Sequence, residues 1–186
     1  PANRTRDEAD RNSADLYLLP VAACESKSAA CKPTRIEFFG TESTVQWSPD
    51  SKLISFTGRA GPMKGSRLMV MPVDGGKPVD VMGANWPYEP GGVEWLPDNT
   101  IRLTATTGGS NGIYKVHPIT RAVTPILAGR RQISSLQVDS AKSQMVFIAT
   151  DLTHPDELYA ANYDGSNERK LTSFNDALNA EVAWSD

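Results

Sequence analysis

A phrase that returns at intervals of more than forty residues constrains this chain more than any other feature. It runs first from Val45 to Phe56, as a short strand, a Ser-Pro-Asp turn and a second strand. It returns at Val93–Leu103, returns in degraded form at Leu136–Phe147, and starts once more at Val182–Asp186. The anchor residues are spaced 48, 43 and 46 residues apart: Trp47, Trp95, Val138 and Trp184. A period of this length, built of strands and turns, predicts propeller blades of four strands each.

A second pair of strands accompanies each phrase, and two of these pairs are joined by turns that contain Asp-Gly. Tyr17, Tyr114 and Tyr159 hold equivalent positions in three of the pairs, and Met69 holds that position in the other. The predicted fold class is therefore all-β, a partial β-propeller of four-stranded antiparallel blades with little helix. We expect a single domain over 1–186 that comprises an outer half-blade at 16–39, full blades at 41–82, 89–128 and 132–172, and an inner strand at 180–184.

Composition and charge exclude several functional classes. The net charge of −3 and a pI near 5.4 argue against a nucleic-acid partner, and no basic run is interleaved with aromatic residues. No apolar run approaches the roughly 20 residues of a membrane span, so we expect no membrane partner. The sequence opens on a polar segment without a signal peptide and stops inside a repeat, which predicts a piece of a longer protein.

The two cysteines lie seven residues apart in a loop between two apolar segments. Cys24 and Cys31 are predicted to form a loop-closing disulfide, which would indicate a periplasmic or secreted location. A pair of reduced loop thiols is the alternative. No metal site is expected, because only His117 and His154 could join the cysteines and a structural zinc site generally needs four ligands.

Gly108–Gly112 satisfies G-x-S-x-G, the nucleophile elbow of α/β-hydrolases. That chemistry needs the serine, here Ser110, on a turn from a strand into a helix, with a histidine nearby. The residues that follow have the pattern of a strand instead, and the repeat requires a turn at this point. We therefore expect a glycine-rich hairpin loop, and no catalytic residue in this chain.

The segment around Trp86, Tyr88 and Glu89 departs from the repeat and lies in the connection that enters an inner strand. It is the candidate for a substrate-facing site, and an ordinary blade-linking loop is the alternative. The tryptophans at the anchor positions are expected to pack between blades rather than bind a ligand. Arg59 and Arg67 flank a loop rich in glycine and lysine and are expected to be solvated.

Trp-Ser-Pro-Asp before a strand, a later Leu-Tyr strand, and Asp-Gly before Arg-Lys-Leu-Thr resemble the WD-like propellers of bacterial type. TolB-like proteins and the prolyl oligopeptidase family of serine peptidases both use this pattern. The run from His154 to Asp176, continued by Asn179–Ala183, resembles the last propeller blade of an acylaminoacyl- or dipeptidyl-peptidase. The resemblance extends over nearly the whole chain.

This resemblance implies a propeller that caps an α/β-hydrolase domain and admits peptide substrates of limited size, without a cofactor. The hydrolase domain itself is not in this chain, so no catalytic residue can be assigned to it. Dipeptidyl peptidases of the family use a Glu-Glu pair that this sequence lacks, which favours an acylaminoacyl-type or otherwise unassigned member; a pair located in missing blades is the alternative. A TolB-like, non-enzymatic interaction propeller is the alternative function.

The count of blades predicts an open array rather than a closed ring. The half-blade at 16–39 and the strand at 180–184 could complete one blade and close a four-bladed ring. The peptidase resemblance argues against this closure, because it places the half-blade in the middle of a propeller. Open blade faces then need a partner, either the rest of the parent protein or a second copy in a homo-oligomer.

Overall fold

The repeat is visible as sheets in the structure, a computed structural model that describes residues 16–36, 43–59 and 64–184. A two-stranded sheet comes first, with β1 (Tyr17–Leu18) and β2 (Thr34–Arg35) on either side of helix α1 (Val21–Glu25). Three four-stranded sheets follow, and a second short helix, α2 (Asp176–Glu181), comes last. The prediction of an all-β fold made of four-stranded antiparallel sheets is confirmed.

Each four-stranded sheet uses its strands in sequence order, as expected for propeller blades. The strands of the first sheet are β3 (Ser43–Trp47), β4 (Leu53–Arg59), β5 (Ser66–Pro72) and β6 (Val79–Asp80). Those of the second are β7 (Gly91–Trp95), β8 (Ile101–Thr107), β9 (Ser110–Val116) and β10 (Val123–Leu127). Those of the third are β11 (Gln132–Val138), β12 (Gln144–Thr150), β13 (Glu157–Asn162) and β14 (Arg169–Lys170).

The described chain falls into two compact units, each with its own core. The first lies within 16–101 and 116–122, and the second within 102–115 and 123–184. One cluster of buried apolar side chains in the first unit comprises Leu16, Ile36, Ile54, Phe56, Met69 and Met71. A cluster in the second unit comprises Ile113, Leu127, Ile133, Met145, Phe147, Ala149 and Ala161. Burial of such side chains stabilises each unit by about 25 cal/mol per Å² of apolar surface removed from water.

The Ser-Pro-Asp turn has the structure that its residues predict. The carboxylate of Asp50 accepts hydrogen bonds from the Ser48 hydroxyl (2.7 Å) and the Lys52 amide (3.1 Å). The Ser48 hydroxyl in turn accepts one from the Leu53 amide at 2.9 Å. Ser51 adopts a left-handed conformation with φ of 59°. The bond from Ser48, followed by the one from Lys52, holds the pKa of Asp50 below its ordinary value.

The tryptophans at the anchor positions do not all pack between blades as expected. Trp95 is buried and its Nε1 donates to Ser55 Oγ at 2.8 Å, which agrees with the prediction. Trp47 is 55% exposed and Trp184 is 39% exposed. Nothing in the described chain covers these two to the same degree, so the expected packing between blades is not formed there.

The inner strand predicted at 180–184 is a second error. Helix α2 includes Ala180 and Glu181, and residues 182–184 belong to no strand. A lone strand would leave its backbone groups unpaired, whereas Ala, Leu and Glu favour a helix. In the half-blade predicted at 16–39, the first strand ends at Leu18, since Pro20 cannot donate to a ladder and α1 begins after it. Residues 37–42, at the ends of two predicted blades, lie outside the described residues.

Candidate functional site

Trp86, Tyr88 and Glu89 lie together in the link between β6 and β7, in the first unit. The rings of Trp86 and Tyr88 meet edge to face, with centroids 5.2 Å apart. Both side chains are half-buried, whereas Glu89 is exposed. The Glu89 Oε1 atom accepts a hydrogen bond from the Ser66 amide at 3.0 Å, so this carboxylate holds the start of β5. The structure thus brings the three predicted residues into one loop, and a substrate-facing role for them stays a proposal.

Residues 83–90 fold around the side chain of Arg67, and we call this segment the Arg67 loop. The Arg67 guanidinium donates to Asp80 Oδ2 at 2.8 Å, to the Gly83 carbonyl at 2.6 Å and to the Trp86 carbonyl. The Tyr88 carbonyl oxygen lies 3.5 Å from the Nη1 atom of Arg67. The Arg67 side chain is only 16% exposed. The expectation that Arg67 is solvated is therefore wrong, because five donors on one planar group match several carbonyl oxygens of a folded link.

A cleft of about 740 Å³ lies in the second unit. It is formed by the β8–β9 turn, the link from β10 to β11, and the start of the β12–β13 loop. Its lining residues, which define the cleft below, are Gly108, Gly109, Ser110, Arg130, Arg131, Gln132, Thr150, Asp151, Leu152 and Thr153. This site was not predicted from the sequence, because its walls come from three segments that are distant in sequence, and only the Gly108–Gly112 turn carries a motif.

The wall built around Arg131 is fixed by an ion pair. Arg131 binds both carboxylate oxygens of Glu168, at 2.5 and 2.8 Å, and its guanidinium carbon lies 5.9 Å from the Phe147 ring centroid. The bond to Glu168 raises the pKa of Arg131, which therefore stays charged. The Arg131 carbonyl accepts from the Asn111 amide at 3.1 Å, and the Gln132 side-chain amide donates to the Gly109 carbonyl. These bonds join the glycine turn to the opposite wall.

The third wall is a loop that folds around one carboxylate. Asp151 accepts hydrogen bonds from the backbone amides of Thr153 and His154, both at 2.8 Å, and from the Thr153 hydroxyl at 2.9 Å. Partial burial raises the pKa of Asp151, but these bonds and one with the His154 ring outweigh it and bring the pKa to about 2. Asp151 is thus a fixed negative charge at the cleft.

Three groups in the cleft remain able to bind a ligand. Within the described part of the chain, the Arg130 guanidinium and the Ser110 hydroxyl make no side-chain hydrogen bond, and Leu152 is 78% exposed. A cation, a hydroxyl and an apolar side chain around one concave surface suit a short peptide, which offers carbonyl oxygens and apolar side chains.

The G-x-S-x-G residues form a hairpin. Gly108 and Gly109 have positive φ values of 57° and 82°, and Ser110 begins strand β9 rather than a helix.

His154 is bonded through Nδ1 to Asp151 at 2.9 Å, and His117 Nδ1 accepts from the backbone amides of its own turn. Among the described residues, no group of three or more His, Cys, Asp or Glu is placed to hold a metal ion. Neither described helix has the length and apolar character needed to cross a membrane.

The two cysteine sulfur atoms lie 2.17 Å apart, with Cα atoms of Cys24 and Cys31 separated by 4.4 Å. Cys24 lies near the end of α1, and the turn that follows the helix brings Cys31 back to bonding distance from it. The oxidised state in the cell stays a prediction, and a test is given below.

No protein-family model matches the sequence, and no curated protein matches it. Solved structures do match. One is the β-propeller domain of the trilobed protease from Pyrococcus furiosus, with a TM-score of 0.54, 19% identity, and coverage of 78% of this chain and 42% of that chain. Another is an acylaminoacyl peptidase in complex with Z-Gly-Gly-Phe-chloromethyl ketone, with a TM-score of 0.57, 17% identity, and coverage of 91% and 24%.

TolB from Acinetobacter baumannii matches as well, with a TM-score of 0.50, 17% identity, and coverage of 77% of this chain and 36% of that chain. At these identities the likeness establishes the fold, and the predicted partial β-propeller is confirmed. The chain spans less than half the length of each of these structures.

Proposed function

We propose that this chain is a non-catalytic part of the propeller of a prolyl oligopeptidase-family serine peptidase. In that role it caps an α/β-hydrolase domain and admits peptides of limited size to it. The observation that carries the proposal is the likeness to the propellers of two peptidases, together with the sequence pattern that resembles the same family.

The cleft supports the peptide-binding part of this proposal. Arg130 and Ser110 can donate to the carbonyl oxygens or the terminal carboxylate of a peptide, while Leu152 offers apolar surface to a side chain. The Arg67 loop is a second candidate contact, in which Trp86 and Tyr88 supply aromatic surface and Glu89 supplies a carboxylate.

Catalysis is assigned to the hydrolase domain and not to any residue of this chain. Ser110 begins a strand after a glycine turn, which does not provide the strand-to-helix elbow that activates a serine nucleophile. The proposed partners are the hydrolase domain, peptide substrates and a second copy of the chain, with neither nucleic acid nor membrane. The Cys24–Cys31 pair supports a periplasmic or secreted location.

The alternative is a TolB-like propeller that binds other proteins and does no chemistry. It is favoured by the likeness of fold to TolB from Acinetobacter baumannii. The two functions differ in what the cleft binds: a short peptide in the first case, and a folded protein surface in the second.

Peptide binding to the labelled chain tests the proposal. N-acetylated peptides of three to six residues, with apolar side chains, are titrated while backbone amide signals are followed by NMR. We expect saturable shifts at Gly108, Gly109 and Ser110, and a Leu152→Asp variant that binds about tenfold more weakly, which corresponds to about 1.4 kcal/mol.

The matched control is Ile119→Asp, because Ile119 is 71% exposed and lies outside the cleft. It should bind as the unaltered chain does. A fluorophosphonate probe, which reacts with activated serines, should leave Ser110 unlabelled. Spectra that do not change at millimolar peptide would contradict the proposal and favour the TolB-like alternative.

A further inference from the structure

One face of β3 carries two large apolar side chains that are open to solvent. Val45 is 40% exposed and Trp47 is 55% exposed. Trp47 pairs with Ile54, and Val45 lies in a register shift that faces Phe56, two residues further along β4, so these two share a face, while Gln46 pairs with Ser55 and points the other way. Gln46 uses that other face to donate to the Val93 carbonyl of β7 at 2.7 Å. The face of Val45 and Trp47 therefore looks away from β7.

The next repeat shows what normally covers a tryptophan at this position. Trp95 holds the same place at the end of β7 and is only 6% exposed. Its Nε1 atom donates to Ser55 Oγ at 2.8 Å. Ser55 lies on β4, the second strand of the preceding sheet, directly opposite Gln46. The indole N–H of the anchor tryptophan thus donates to a small hydroxyl side chain on the second strand of the preceding sheet.

The sheet that precedes β3 consists of β1 and β2. By the repeat, these correspond to third and fourth strands, because Tyr17 matches Tyr114 on β9. Part of the interface between this sheet and the next is already formed. Ile54, the cross-strand partner of Trp47, is 2% exposed and packs in one core with Leu16 and Ile36.

We propose that the face of Val45 and Trp47 is the docking surface for a β-hairpin from a further repeat of the same propeller. The hairpin brings the β1–β2 sheet to four strands, and its second strand places a Ser or Thr hydroxyl against Trp47 Nε1. The Trp95–Ser55 contact provides the geometry, and the buried Ile54 provides the continuity of the interface. The inference depends on the fold and not on the proposed peptidase function.

Other occupants fit less well. A second copy of the chain would need a spare second strand, and the strands numbered second in their sheets, β4, β8 and β12, all lie between two neighbours. The segment 182–184 matches a first strand in sequence and not a second one. The chain covers 42% of the β-propeller domain of the trilobed protease, so more than half of that structurally similar propeller has no counterpart in this chain.

A peptide of residues 43–59 serves as the probe, because it is the hairpin that receives Trp95 through Ser55. The unlabelled peptide is added to the ¹⁵N-labelled chain, and the indole N–H signal of Trp47 is assigned with a Trp47→Phe variant. We expect a saturable shift of this signal and slower exchange of the indole proton. Trp47→Ala in the chain should weaken binding at least about tenfold.

The matched control is the same peptide with Ser55→Arg. The turn of the next sheet is one residue shorter, since the Leu96 amide donates to Thr100 where the Ser48 amide donates to Leu53, so Arg102 takes the position of Ser55 there, and the following anchor is Val138 rather than a tryptophan. The Arg side chain fills the space that the indole needs, so this peptide should bind at least about tenfold more weakly. An unmoved Trp47 signal at saturating peptide, or equal binding of both peptides, would overturn the proposal. Self-association that buries Trp47 without peptide, seen by sedimentation, would assign the face to a second copy instead.

Discussion

The Arg67 loop and the cleft show two ways in which an arginine contacts a link between sheets: Arg67 lies on β5 and binds the β6–β7 link, whereas Arg131 lies in the β10–β11 link itself. Arg67 and Arg131 have similar exposures, 16% and 20%, and each pairs with a carboxylate. The link from β6 to β7 spans residues 81–90 and folds its carbonyl oxygens onto Arg67. The link from β10 to β11 spans only residues 128–131, which is too short to wrap a side chain. Link length therefore decides whether the arginine closes a loop or flanks an open cleft.

The largest effect on the free energy of unfolding is expected at Arg67, whose guanidinium is surrounded by carbonyl oxygens. Arg67→Met leaves Asp80 Oδ2 and several carbonyl oxygens without the guanidinium donor, so we expect a loss of about 3–4 kcal/mol in the free energy of unfolding. Urea denaturation measures it.

Arg131→Met is the comparison variant. It breaks one partly exposed pair with Glu168 and should lower the free energy of unfolding by about 1–2 kcal/mol. Equal losses for the two variants would contradict the distinction between a wrapped and a flanking arginine.

A turn of the second unit depends on a glycine. The chain at Gly165 has φ of 87°, and a Cβ atom there would lie 2.1 Å from the Ile126 carbonyl oxygen. Gly165→Ala must move this backbone, and we expect it to reduce stability by about 3 kcal/mol. Gly129 has φ of 136° with nothing near its Cβ position, so Gly129→Ala should cost only about 1 kcal/mol. Thermal unfolding of both variants would show whether the close approach matters beyond the backbone strain.

The first unit also contains a disulfide bond, if Cys24 and Cys31 are oxidised as predicted. A loop this short should contribute about 2 kcal/mol through the unfolded state. Reduction, or a Cys24→Ser/Cys31→Ser double variant, should lower the melting temperature and leave the peptide affinity of the cleft unchanged. Alkylation of both thiols without reductant, detected by intact mass, would show that the bond is not formed.

The smallest effect concerns the Asp151 wall and its dependence on pH. The folded-state pKa of about 2 lies below the ordinary value of 3.8, so the carboxylate favours the folded loop above pH 4. That contribution falls away as the pH drops from about 4 to about 2. Amide signals of Thr153 and His154 should report the change, and an Asp151→Asn variant should not show it. A loop transition well above pH 4 would contradict this assignment.

The blades could be predicted from the sequence because their signals are local and repeated. Turn residues follow Trp47 and Trp95 at fixed offsets, and alternating apolar residues fill the strands after them. The strand predicted at the end of the chain is not formed, because a strand needs a neighbouring strand to pair with. Among the described residues, Val182 to Trp184 have no such neighbour.

The candidate site could be predicted only in part. Departure from the repeat identified Trp86, Tyr88 and Glu89, since they interrupt a regular pattern. Arg67 was missed because nothing near it in sequence indicates that a link 16 to 21 residues later returns to its guanidinium. The cleft was missed for the same reason, because Ser110, Arg131 and Asp151 meet only in the fold.

The aspartate turns have a consequence for the order in which the chain folds. Asp50, Asp98 and Asp139 each accept backbone amides that lie two to five residues ahead, at Lys52, at Thr100, and at Ser143 and Gln144. These bonds need no residue from another repeat, so each turn can form while the rest of the chain is still unfolded. Hairpins of this kind form within about 1–10 μs, long before the links between sheets can be ordered. Each repeat thus carries its own initiation signal, and we expect high φ-values at these aspartates and low ones at Arg67 and Arg131.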